Sequence, residues 1–130
     1  MQRVLIALAA TAALAGSAFA QAPAPAAPNF VTVPQDAITS DRLDDVDLRN
    51  AANEKVGEIE DAVISQGRLV GYVISVGGFL GVGERNVVVD PSAVMLTYNE
   101  ADKAWRGTIN ATKEQLQAAP EFKYEGRWKD

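Results

Sequence analysis

From Asp45 to Ile109 the apolar residues of this chain recur at alternate positions, in short runs cut by Gly, Asn, Asp or Pro. A period of two sends successive side chains to opposite faces of an extended chain, so this stretch is committed to strands rather than helices. "DVDLRN" (45–50) sets Val46 and Leu48 on one face against Asp45, Asp47 and Arg49 on the other. The turn "AANEK" follows, then "VGEIEDAVI" (56–64), whose period slips at Asp61–Ala62 and predicts a bulge. Ser65–Arg68 reads as a hairpin connection in which Gly67 is free to take positive φ. "LVGYVISV" (69–76) is apolar on both faces and is expected to be the central strand. "NVVVD" (86–90) ends at Pro91, which cannot donate to a ladder. "VMLTY" (94–98), the turn "NEADK" and "AWRGTI" (104–109) form a further hairpin. Six short strands at this spacing predict a mostly β fold, a small antiparallel barrel, closed or nearly so. One short C-terminal helix is signalled by Thr112 and Gln115, which spell a capping box, with Leu116 as its apolar contact and Pro120 as its stop.

The flanks have a different character. Arg3, the apolar run Val4–Ala15 and the small residues Ala18 and Ala20 predict a signal peptide over 1–20, cleaved after Ala20. Its apolar run is shorter than the roughly 20 residues a bilayer span needs. Residues 21–37 begin "QAPAPAAPNFVTV" and read as an Ala/Pro-rich linker, the folded domain as 38–124, and 125–130 as a C-terminal tail. The expected product is a periplasmic protein with no membrane insertion after cleavage. Without Arg3 it carries 11 basic against 17 acidic side chains, a net charge of −6. That balance argues against a nucleic-acid partner and against docking on anionic lipid, both of which need clustered Lys and Arg. With no cysteine, the domain must be held by its core alone.

The stretch "GGFLGVGERNVVVDP" (77–91) raises the question of a phosphate loop. Gly77, Gly78, Gly81 and Gly83 have the spacing G-G-x-x-G-x-G, Glu84 and Arg85 stand where Lys and Ser/Thr would be needed, and the next element is β-branched. No helix dipole would meet an anion there, and Glu84 would repel one. A long hairpin loop with several positive-φ positions is the better reading. Phe79 and Leu80 at its tip either plug the barrel mouth, the favoured choice, or form an exposed contact patch. Gly77–Glu84 is accordingly the candidate interaction loop.

"NEKVGEIEDAVI", "GRLVGYVISVGGFLGVGERNVVVDPSAV" and "TKEQLQAAPEFKY" together resemble the PRC-barrel family, over about residues 38–124. That domain is shared by the photosynthetic reaction-centre H subunit and a ribosome-maturation factor. V-G-x-I-x-D at Val56–Asp61 and V-G-G-F-L-G-x-G-E at Val76–Glu84 carry the likeness, and T-K-E-Q-L-x-A-A-P-E-F resembles an exported proteobacterial subgroup. The resemblance implies a barrel of about six strands used for protein contacts and assembly, with no shared catalytic residues and no cofactor. Neither the membrane helix of the H subunit nor the RNA-processing partner domain of the ribosome factor is expected, so neither job carries over. The resemblance also places an acid at Asp61, whose expected role is structural, bonding turn amides.

Chemistry is mostly excluded. With no His and no Cys, catalysis of the Ser-His-Asp or Cys-His type is impossible, and so are metal sites built on imidazole or thiolate. "DRLDDVD" (41–47) gathers Asp41, Asp44, Asp45 and Asp47 but lacks the calcium-loop pattern, and reads as a solvated strand edge that blocks unwanted pairing. Glu58 and Glu60, at period two, are expected on the wet face of their strand, with no sugar-sized cleft between carboxylates. Tyr98 and Trp105 are expected to face each other across a hairpin, and Phe122 and Tyr124 to pack the tail on the barrel. Trp128 reads equally as partner surface or loose tail. The function expected is a non-enzymatic interaction or assembly module whose partner is an unknown protein or a second copy. The alternative is a small-ligand or cation-binding barrel using its mouth or its acidic clusters.

Overall fold

A computed structural model describes residues 24–77 and 83–130. Residues 24–34 carry no helix or strand and are exposed. Val33–Asp130 form one compact unit. The predicted runs become six strands: β1 (Val46–Arg49), β2 (Lys55–Ser65), β3 (Arg68–Val76), β4 (Arg85–Val89), β5 (Val94–Asn99) and β6 (Ala104–Ile109). Two short helices flank them, α1 (Ser40–Leu43) and α2 (Lys113–Ala118). α1 is a single turn that was not among the expected elements, because four residues are too few to show a helical period.

Local chemistry explains the connections. Gln66 and Gly67 both take positive φ, 52° and 76°, as in the mirror-image two-residue turn whose twist matches that of paired strands. The β2–β3 register shifts between Ile59 and Asp61 and again between Val63 and Ile64. The first shift leaves Glu60 without a cross-strand partner, one residue before the expected slip. At the end of β4 the Asp90 carboxylate accepts from the Ser92 amide at 2.8 Å, and a 3-10 turn over Pro91–Ala93 carries the chain into β5. The capping box of α2 is complete: the Gln115 amide donates to Thr112 Oγ1 at 3.0 Å and the Thr112 amide to Gln115 Oε1 at 2.8 Å.

The strands form one sheet in the order β4-β3-β2-β1-β6-β5. Two expectations are corrected here. The sheet is mixed, because β1 and β6 run parallel, Leu48 beside Gly107 and Arg49 beside Thr108. It is also not closed into a barrel, since its end strands β4 and β5 do not pair with each other among the described residues. Pro91 and its 3-10 turn take the chain off the ladder after β4, and the outer edge of β4 is met at Asn86 by Phe122 instead. β3 therefore lies one strand in from an edge, and β1 and β2 are the central pair.

One core lies under this sheet. Val46 and Leu48 of β1, Val56 and Ile59 of β2, Tyr72, Ile74 and Val76 of β3, Val87 of β4 and Ile109 of β6 meet Leu43 of α1 and Leu116 of α2. Val94 and Leu96 of β5 pack on the same cluster. Both end strands thus reach one core, so the sheet coils around it even though its edges do not join. Burying each large aliphatic side chain contributes about 1.5–3 kcal/mol, which is the main stabilisation available to a domain without disulfides.

Candidate functional site

The base of the glycine loop is built from β3, β4 and α2. β3 and β4 pair down to Val76 and Arg85, so the loop is a hairpin connection as expected. Gly77 and Gly83, at its two ends, take φ of 79° and 77°, a region that L side chains rarely enter. Ser75 Oγ donates to the Glu84 carboxylate. Arg85 NH1 donates to the Gln117 carbonyl at 2.9 Å and NH2 to the Ala119 carbonyl at 2.6 Å. Its guanidinium thereby satisfies carbonyls that the end of α2 leaves without intrahelical partners. Gly78, Phe79, Leu80 and Gly81 lie outside the described residues. Arg85 was not singled out from the sequence, and only its meeting with residues more than thirty positions away reveals its role.

The acidic residues do not form the expected edge. β1 is an interior strand, so Asp47 projects from the middle of the sheet and guards no free ladder, while Asp45 stands in the turn that leads into it. Asp47 pairs with Lys55 at 3.2 Å, and Lys55 also bonds Glu58, which chiefly holds its ammonium pKa above the usual value. Asp45 takes φ of 68°, and its amide donates to the Ile59 carbonyl at 2.9 Å, turning α1 into β1. Glu58 is half-buried against Lys55, while Glu60 is the unpaired bulge residue, so they do not share one wet face in simple alternation. Burial raises the Glu60 pKa first, and Glu84, Asp44, Asp45 and Glu58 raise it further. Among the described residues no group of three or more acids is disposed to hold a metal ion.

Asp61 is exposed rather than buried. One carboxylate oxygen accepts from the Ala62 amide at 2.9 Å, beside the bulge, and the other from the Tyr124 hydroxyl at 3.3 Å. Burial, then the Asp61 charge, pushes the Tyr124 pKa up to about 12. Tyr124 belongs to an aromatic group with Phe122 at 5.0 Å between ring centres, and Phe122 lies 5.7 Å from Trp128. Trp128 ends a 3-10 turn over Gly126–Trp128 and is 59% exposed. Tyr98 and Trp105 are directly paired across β5 and β6, with rings 5.4 Å apart and 67° between planes. Trp105 packs on the core while Tyr98 stays exposed.

A shallow open groove of about 500 Å³ runs along β1 and β6, lined by Asp45, Asp47, Arg49, Asn53, Trp105 and Arg106. Its charges are largely spent within the protein: Asp47 on Lys55, Arg106 on Asp102, and Arg49 on the Asn53 carbonyl at 3.0 Å. Apolar exposure is greater elsewhere. Ile64 (65% exposed), Leu69 and Val70 stand uncovered at the far end of the β2–β3 hairpin, and Met95 and Tyr98 along the edge strand β5.

Among the described residues no helix is long and apolar enough to cross a membrane. No curated protein matches the chain. The PRC-barrel domain family matches residues 35–116, a span that holds every strand and every member of the buried core cluster. The chain therefore belongs to the PRC-barrel domain family.

Proposed function

We propose that this chain is an exported, non-enzymatic interaction or assembly module of the periplasm, delivered by a signal peptide over 1–20 and tethered by an Ala/Pro-rich linker over 21–37. The observation that carries the reading is the aliphatic knuckle of Ile64, Leu69 and Val70, left in water at the end of a strongly paired hairpin. Ile64 and Leu69 are directly opposed across the hairpin, and an exposed apolar patch on a folded domain is where a protein contact is expected. The absence of His and Cys from the sequence removes the common catalytic nucleophile–base pairs. The likeness of the C-terminal T-K-E-Q-L run to an exported proteobacterial subgroup supports the same setting.

The test is light scattering of residues 21–130 over a hundredfold concentration range, joined to a photo-crosslinker placed at Leu69 in expressing cells. Concentration-dependent mass that Ile64→Lys abolishes, or a defined adduct at position 69 that a crosslinker at Lys103 does not give, is expected. A strict monomer with no site-specific adduct sinks the reading. A mass change seen only with calcium moves the function to cation binding by the acidic residues.

A further inference from the structure

The segment after α2 lies beyond the family match, which ends at residue 116, yet it is built into the sheet. Phe122 forms an antiparallel bridge with Asn86, its amide donating to the Asn86 carbonyl at 2.7 Å, on the outer edge of β4. Two residues on, the Tyr124 hydroxyl reaches Asp61 on β2. Between β4 and β2 lies β3, so the segment passes around the β4 edge and over the face opposite the core. Val73 of β3 sits there, paired with Asp61 on one side and Val88 on the other. It is 1% exposed although it stands outside the core cluster. Its burial sets it apart from its partners on that face, Asp61, which is exposed, and Val88, which is 39% exposed.

We infer that the outer edge of β4 is a strand-addition site, occupied in cis by Glu121–Tyr124, that takes an extended antiparallel segment carrying aromatic residues at positions i and i+2. The inference rests on the interaction-module reading and names one surface for it. Three features define the ligand. An edge strand offers unpaired amides and carbonyls that recognise any extended backbone. The cis occupant shows which chemistry fits: an aromatic beside the edge at Asn86, and a second whose hydroxyl meets Asp61. Lys123 between them is exposed, so the intervening position is free. The occupant is held by one backbone bridge, one hydroxyl contact and the contacts of its rings, with Trp128 largely in solvent. A contact this small can exchange with the same segment of a second copy, as in domain swapping. The partner is the C-terminal segment of another copy of this chain.

The experiment uses the full chain with Asn86→Cys and Phe122→Cys. Directly opposed residues of an antiparallel pair lie within disulfide reach, and the chain has no other cysteine. The probe is a fluorescent peptide with the sequence of residues 120–130, and circular dichroism of both redox forms confirms that the fold is kept. The reduced form is expected to bind at least tenfold more tightly than the oxidised, locked form, and a peptide with serine for both Phe122 and Tyr124 is expected not to bind. Full-length Tyr124→Ala/Trp128→Ala, which keeps Phe122, supplies a second route and is expected to bind the probe better than the unaltered chain. Equal binding by both redox forms, or no binding by the folded reduced form and the second variant, overturns the inference. If probe binding fails while self-association or the Leu69 adduct persists, only the strand-addition site falls; if all fail, the module reading falls with it.

Discussion

Replacing Gly107 by alanine tests why β6 lies parallel and close against β1. A methyl group at position 107 would stand 2.5 Å from Leu48 Cδ2, 3.3 Å from the Asp47 carbonyl oxygen and 3.4 Å from Val46 Cγ1. Carbon atoms in contact settle at about 3.5–4.0 Å, so the shortfall at Leu48 is about 1 Å. Leu48 cannot swing away, because it is fully buried at the centre of the core. Overpacking of this kind costs about 1–3 kcal/mol. Against that, alanine stiffens the unfolded chain and returns about 0.4–1 kcal/mol. Taking the middle of each range, the net loss is about 1.3 kcal/mol, a fall in Tm of about 5–10 °C for a folded unit of this size. Urea unfolding followed by circular dichroism measures it. The decisive form is a double-mutant cycle with Leu48→Ala, which alone costs about 2–5 kcal/mol. If the clash is the cause, the smaller side chain makes room, and the double variant is more stable than the sum predicts by about 0.5–2 kcal/mol. Additivity within about 0.5 kcal/mol would rule out the clash as the cause, as would a Gly107→Ala chain as stable as the parent.

Four further outcomes are expected. Thr112→Ala removes one half of the capping box and lowers stability by about 0.5–2 kcal/mol in urea unfolding, with the amide of Gln115 exchanging faster. Arg85→Met keeps the length of the side chain but leaves the Gln117 and Ala119 carbonyls without their donor, a loss of about 1–3 kcal/mol; Arg85→Lys recovers only part of it, because an ammonium cannot span both carbonyls as the guanidinium fork does. Glu60 is an acid whose pKa is raised in the fold, so its favourable contribution is present below the ordinary value of 4.5 and is lost as pH rises through the folded value; Glu60→Gln is therefore expected to raise Tm at pH 7 and to leave it unchanged near pH 3. The neutral Tyr124 hydroxyl stabilises the fold fully below pH 10 and loses that contribution as pH rises toward about 12; Tyr124→Phe is expected to remove the corresponding step from an alkaline unfolding profile.

Much of the chain was legible because its information is local. Strand alternation depends only on the two-residue period of an extended backbone, and it located all six strands, the Gln66–Gly67 turn and the bulge near Asp61 to within a residue. The α2 capping box is a contact between residues three apart, and the pairing of Tyr98 with Trp105 follows from the short turn over residues 100–103. The resemblance carried on Val56–Asp61 and Val76–Glu84 pointed to the family whose match is now seen over residues 35–116. α1 and Leu43 went unseen, since one helical turn leaves no period to read.

Where distant segments meet, a one-dimensional pattern is silent, and the acidic run at 41–47 shows how far that misleads. Alternation placed Asp45 and Asp47 on a wet face, but whether their strand is an edge or a centre depends on where β6, some sixty residues later, comes to lie. Closure is a question of the same kind. Six strands of suitable length are compatible with a closed barrel or with an open coiled sheet, and the choice rests on Pro91, on Gly107 against Leu48, and on Phe122 meeting Asn86. Each of those contacts must offset the entropy of bringing remote chain together, and no local propensity reports that balance. Composition and period settled which residues are strands, which face of each is apolar, and which nucleophile and metal chemistries the chain cannot perform. The neighbour order, the parallel β1–β6 pair, the clamp of Arg85 on α2 and the aromatic segment across β4 were decided by packing, because only the folded chain brings those groups within a few ångströms of one another.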